Sequence, residues 1–125
     1  MTCITNSEIY IPNYSIVRCD RNRHGGGVII YCLSSYPLNI IYKGSDELEL
    51  LIVSINTYNL IVVATMYRPP NLFDSVLDDL FFVLCNHVDV SIFGNFVLIG
   101  DFNVNFFVSN NSLFQKLLSV TSSFN

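Results

Sequence analysis

The stretch Phe96-Val97-Leu98-Ile99-Gly100-Asp101-Phe102-Asn103 constrains the fold more tightly than any other part of the chain. Apolar residues without a charge run into a glycine and then into two polar residues separated by one aromatic, the pattern of a buried strand that ends at a functional edge. Side chains alternate across a strand, so Asp101 and Asn103 are expected on one side and Phe102 in the core, as long as the extended geometry continues. A carboxylate and a carboxamide then share one small volume. The carboxylate can accept a proton or bind a hard cation, and the amide can donate to a phosphate oxygen while its own oxygen faces a metal. The same residues also read as an ordinary turn that closes a core strand.

A second apolar run, Leu60 to Thr65, leads into Met66-Tyr67-Arg68-Pro69-Pro70-Asn71, so another buried strand ends in a Tyr-Arg pair stopped by two prolines. Glu49 to Ile55 reads as the strand before it, with Asn56-Thr57-Tyr58-Asn59 closing an antiparallel hairpin. Earlier in the chain, Tyr14 to Cys19 and Val28 to Leu33 read as strands. The connection from Asp20 to Gly27 carries Gly25, Gly26 and Gly27, which permit positive φ in a hairpin turn. Leu38 to Tyr42 is expected as a brief edge strand, and Lys43 to Asp46 as a turn. Leu72, Val76, Leu80 and Leu84 recur at helical spacing with Phe73, Leu77 and Phe81 beside them, which predicts one broad buried helix face. Asp74, Asp78 and Asp79 fall on its solvated side, and His87 sits at its end. Ser112-Leu113-Phe114-Gln115 reads as a capping box that opens a second helix on Phe114, Leu117 and Leu118.

The chain has 125 residues, enough for one core. Its 51% hydrophobic and 13% charged content suits strands covered on both faces and disfavours disorder. A net charge of -4 argues against binding nucleic acid through a general basic field. A nuclease built this way must rely on local cations and bound metal. Arg18, Arg21, Arg23 and His24 form the one basic cluster, which also reads as a solvated turn. Cys3, Cys19, Cys32 and Cys85 show no C-x-x-C pair and no histidine at ligand spacing, so they are expected as free buried thiols rather than a zinc site. His24-Gly25-Gly26-Gly27 matches an oxyanion-hole motif of lipases, but the Gly-x-Ser-x-Gly elbow those enzymes require is absent. Glu49, an acid opening a strand, is expected as a structural or surface residue. The apolar stretches are broken by Asn56, Asn59 and Asn95 before they reach membrane-spanning length. With no secretory leader in the N-terminal residues, the expectation is an intracellular protein, nuclear or cytoplasmic, neither secreted nor membrane-bound.

Tyr-Arg-Pro-Pro followed further on by Leu-Ile-Gly-Asp-Phe-Asn resembles the endonuclease/exonuclease/phosphatase superfamily, and more narrowly the apurinic-type endonuclease domain of non-LTR retrotransposons. The resemblance extends back through Asp20-Arg21, through Gly25-Gly26-Gly27-Val28-Ile29-Ile30-Tyr31 and through Glu49-Leu50-Leu51-Ile52-Val53-Ser54-Ile55. It covers nearly the whole chain, with the segments in the family's order. It implies a four-layer α/β sandwich of two mixed, largely antiparallel sheets with flanking helices. In that family's chemistry Asp101 orients or deprotonates the attacking water, Asn103 holds the scissile phosphate, and Tyr67 donates its hydroxyl to the phosphate or the leaving oxygen. Asp101 and Asn103 contribute to a site for Mg²⁺ or Mn²⁺, and Arg68 either contacts the substrate backbone or is a structural residue at the strand end. DNA is the implied substrate, and a reverse transcriptase domain is the implied companion in the parent protein.

The family's early asparagine and glutamate belong before residue 1, and its late Ser-Asp-His segment belongs after residue 125. Residues 1–125 are therefore expected to be a single incomplete domain, truncated at both ends and inactive alone as a DNA endonuclease. The competing expectation is a non-catalytic α/β interaction module that keeps the scaffold and completes its sheet with another chain.

Overall fold

A computed structural model describes residues 4–21, 26–89, 94–108 and 111–124. Among the described residues six strands and two helices follow in the order β1 (Tyr14–Asp20), β2 (Gly27–Leu33), β3 (Leu38–Lys43), β4 (Glu49–Asn56), β5 (Leu60–Tyr67), α1 (Ser75–His87), β6 (Asn95–Asp101) and α2 (Ser112–Ser122). β1 and β2 form a two-stranded antiparallel sheet, and the other four make a mixed sheet in the order β3-β4-β5-β6. Within it β3, β4 and β5 are antiparallel, and α1 crosses over to bring β6 parallel to β5. Two sheets and their helices make an α/β fold, a partial sandwich, as expected.

β4 shows why the composition is so apolar. Its even-numbered residues Leu50 and Ile52 pack with Val62, Ala64 and Met66 of β5 against Leu77, Leu80 and Leu84 of α1. The odd-numbered Leu51 and Val53 face Cys19 and Val28 of the small sheet. All four β4 side chains are fully buried, and each contributes about 1.5–3 kcal/mol relative to exposure. The layers therefore run helices, four-stranded sheet, two-stranded sheet, which is three layers of the expected four among the described residues. β6 lies beyond the cover of the small sheet, leaving Val97 and Ile99 of its outward face exposed.

The β1–β2 turn follows the glycine expectation: Gly26 and Gly27 have φ of 98° and 126°, and Gly27 sits against the Cys19 carbonyl. Gly25, Arg23 and His24 lie outside the described residues.

Several local expectations need correction. Phe73 and Phe81 are exposed, and the buried face of α1 is Val76, Leu77, Leu80, Val83 and Leu84. α1 begins at Ser75, so the periodic phase starts one turn later than the sequence suggests. The cap of α2 is Asn111, whose side chain accepts from the Leu113 amide at 2.9 Å, rather than Ser112. Leu118 is exposed, while Val120 and Phe124 complete the α2 contact with the core. The acids of α1 are exposed but pin α2: Lys116 donates to Asp78 at 2.7 Å and Ser112 to Asp74 at 3.4 Å. His87 closes α1 with its ring 5.1 Å from that of Tyr42.

Cys19 and Cys32 are buried free thiols, whereas Cys85 is exposed, against expectation. Burial pushes both buried thiols above their ordinary value of 9.0. Above that pH the unfolded chain has released protons that the folded chain still holds. Stability is therefore fully present below about pH 9 and falls as pH rises beyond it. In urea titrations at increasing pH, Cys19→Ala should be less stable at neutrality but show a shallower alkaline decline than the parent. An identical alkaline slope would exclude Cys19 as a contributor.

Candidate active site

Three strand ends meet at one edge of the large sheet. Counting back from the β4–β5 turn pairs Glu49 with Tyr67, and the parallel β5–β6 register pairs Tyr67 with Asp101. Register partners share a face, so an acid, a phenol and an acid stand in a single row across β4, β5 and β6, with neighbouring strands about 4.8 Å apart. The row faces the small sheet, since Tyr67 packs with Leu51, Val53 and Val63 on that side. Glu49 is buried beneath it and Asp101 is open to solvent.

Gly100 makes the last step of the β5–β6 pairing possible. A Cβ there would overlap the Met66 carbonyl oxygen and sit 2.9 Å from the Met66 carbonyl carbon. The register continues past the strands, with the Arg68 amide donating to the Asp101 carbonyl at 2.8 Å.

The extended geometry then stops. Asn103 has φ of 48°, a left-handed conformation that asparagine tolerates better than most residues. Its backbone amide donates to Asp101 Oδ1 at 3.0 Å, and its Nδ2 donates to the Arg68 carbonyl at 2.6 Å. Asp-Phe-Asn thus forms the turn that closes β6, with the Asp101 carboxylate left exposed at its start. Phe102 packs toward the helix-side core as expected. The nitrogen of the Asn103 amide is committed to tying β6 to β5, which leaves its Oδ1 as the atom able to face a cation.

Of the two roles expected for it, Arg68 has the surroundings of the structural strand-end residue. It is 2% exposed, and its terminal nitrogens donate to the carbonyls of Leu72 at 2.7 Å, Phe102 at 3.3 Å and Asn103 at 3.5 Å. Asp74 lies 3.6 Å from it. The Pro69-Pro70 turn folds the chain back so that this guanidinium plugs the gap between the β5 and β6 ends. It holds the loops and is too deep to reach a substrate.

Arg21, from the β1–β2 turn, occupies the place left open. Its Nε donates to Glu49 Oε1, and its guanidinium lies over the Tyr67 ring, 5.3 Å from the centroid. The hydrogen bond to Glu49, and further contact with Tyr67, raise its already high affinity for its proton. Glu49 is therefore a buried ion-pair partner rather than a surface residue, and its Oε2 has no partner among the described residues. No local pattern in the sequence marks this pair: Arg21 and Glu49 lie 28 residues apart, the one just after β1 of the small sheet and the other at the start of β4 of the large sheet.

Behind the site, a cleft of about 740 Å³ opens between the end of β6 and α2, lined by Asp101, Asn103, Val104, Phe106, Phe114 and Leu117 among others. Among the described residues no three His, Cys, Asp or Glu side chains converge as a metal site, and no helix is long and apolar enough to cross a membrane. No protein-family model matches the chain, and no curated protein matches its sequence.

Proposed function

We propose that this chain carries the phosphate-handling part of a metal-dependent phosphodiesterase site acting on DNA, of the endonuclease/exonuclease/phosphatase type that its sequence resembles. The observation that supports this best is the row of Glu49, Tyr67 and Asp101 across three strand ends. Asp101 is the exposed carboxylate that would hold Mg²⁺ or Mn²⁺, with Asn103 Oδ1 beside it. One carboxylate fits such an ion, since Mg²⁺ is commonly held by one or two carboxylates plus substrate phosphates and retains its waters. A bound divalent ion supplies charge neutralisation at the phosphate. The Asp101 carboxylate orients a water and can take its proton, and the Tyr67 hydroxyl donates to a phosphate oxygen. Asn103 keeps the β5 and β6 tips together. A metal anchored by so few groups has little to fix its geometry, so the chain alone is expected to bind DNA weakly and leave it uncut. A reverse transcriptase domain is the companion this reading implies.

Titration of a fluorescent duplex oligonucleotide with and without Mg²⁺ tests it. Wild-type binding should strengthen about tenfold with Mg²⁺, a gain of about 1.4 kcal/mol. Asp101→Ala should bind no worse than wild type without metal, having lost a negative charge, and gain nothing when Mg²⁺ is added. An equal Mg²⁺ response in Asp101→Ala, or none in the wild type, would remove the reading.

A second, non-catalytic reading draws on β6. It is the outer strand of its sheet among the described residues, and Val97 and Ile99 are 41% and 56% exposed. Extended segments of other chains add to such edges through main-chain hydrogen bonds. That pairing would be indifferent to Asp101→Ala.

A further inference from the structure

Resting on the phosphodiesterase reading above, we infer that Arg21 is the residue that grips the substrate phosphate at this site, a part that the resemblance leaves open for Arg68. Among the described arginines it alone combines position with access. The Arg68 side chain is 2% exposed and surrounded by carbonyls, whereas that of Arg21 is 30% exposed at the rim of the Glu49–Tyr67–Asp101 row. Arg18 is occupied by Asp20 at 2.9 Å and by the Ile4 carbonyl at 2.7 Å.

The way Arg21 is held favours binding. Glu49 takes the Nε edge of the guanidinium from below, and the Tyr67 ring supports one face. The guanidinium also hydrogen-bonds to Tyr67, and the N–H groups at its exposed rim are donors of the kind that pair with phosphate oxygens. Because a buried carboxylate fixes the fork before any ligand arrives, little side-chain entropy remains to be lost on binding. Gly26 belongs to the same device: with φ of 98° it carries the turn past the guanidinium, and a Cβ there would lie 3.6 Å from the arginine Cζ. This resolves how an acidic chain can hold a polyanion. One immobilised cation acts locally where a general positive field is absent.

Removing Arg21 alone would strand the Glu49 carboxylate in the core, so the informative variant is Arg21→Met/Glu49→Gln. It removes the cation and its partner together and leaves the net charge unchanged, so any loss of binding is local. For a duplex oligonucleotide, one phosphate contact contributes about 0.9 to the slope of log affinity against log salt. The double variant should therefore show a slope shallower by about 0.9 and bind about eightfold more weakly at 0.1 M salt. Binding and slope equal to wild type would overturn the assignment and leave the phosphodiesterase reading standing. A wild-type chain that binds no oligonucleotide would remove both.

A measurement on the unaltered chain stands beside it should the double variant not fold. Phenylglyoxal labelling, mapped by peptide mass spectrometry, should modify Arg21 in the free protein and spare it in the presence of oligonucleotide, while Arg68 stays unlabelled in both. Equal labelling of Arg21 with and without oligonucleotide would sink the assignment.

Discussion

Replacing Arg68 with methionine is expected to destabilise the chain by about 3 kcal/mol, through the loss of donors to buried carbonyls. The substitution keeps much of the side chain's length but leaves the carbonyls of Leu72, Phe102 and Asn103 without these donors. A buried acceptor deprived of its partner costs about 1–3 kcal/mol. Whole domains are stable by only about 5–15 kcal/mol, so much of the folded population is at stake. Arg68→Lys should recover only part of the loss, because an ammonium is a point donor and cannot span three carbonyls as a planar fork does. Urea unfolding followed by circular dichroism reads both variants. A midpoint for Arg68→Met equal to wild type would mean that Arg68 does not close the gap between the β5 and β6 ends, and its substrate-binding role would have to be reconsidered.

Gly100→Ala is expected to cost about 3 kcal/mol or more, the upper end for overpacking. The atoms the new methyl group would meet are Met66 backbone, including its carbonyl carbon at 2.9 Å and its nitrogen at 3.1 Å. A flexible side chain could turn away, but a strand backbone moves only by giving up ladder hydrogen bonds. The parallel pairing of β5 and β6 should therefore loosen at the tip, where Tyr67 stands opposite Asp101. Stability and the Mg²⁺ response of oligonucleotide binding should fall together in this variant. In Asp101→Ala the Mg²⁺ response should disappear while stability falls by only about 1 kcal/mol, since the carboxylate is exposed and loses one surface hydrogen bond, from the Asn103 amide. A Gly100→Ala chain with wild-type stability would show that the strands are not in this close register.

These two residues are neighbours in the motifs that the sequence made prominent, yet they differ in how much of their role could be read there. Gly100 stands between an apolar run and an acid, and a glycine in that position signals a close backbone approach. Arg68 is next to Tyr67, and the sequence left open whether it reaches the substrate backbone or serves the strand end structurally. Strand alternation already pointed to the second, because consecutive residues leave a sheet on opposite faces. What alternation could not supply was the fold-back at Pro69-Pro70 that surrounds the guanidinium with carbonyls.

The sequence by itself determined the strands, the glycine turn and the two helices, which follow from local periodicity and turn composition. The register that sets Glu49 opposite Tyr67 was decided by the folded hairpin, in which Asn56 joins the strand and pairs with Leu60. Tertiary structure decided which charged groups are buried and which are available. Arg21 meets Glu49 and Tyr67 only because one sheet packs across the face of another, and Asn103 turns inward only because the Arg68 carbonyl waits on the adjacent strand. Contacts between segments far apart in the chain leave no periodic trace in either segment, so the chemistry of this edge depends on packing that local sequence pattern does not encode.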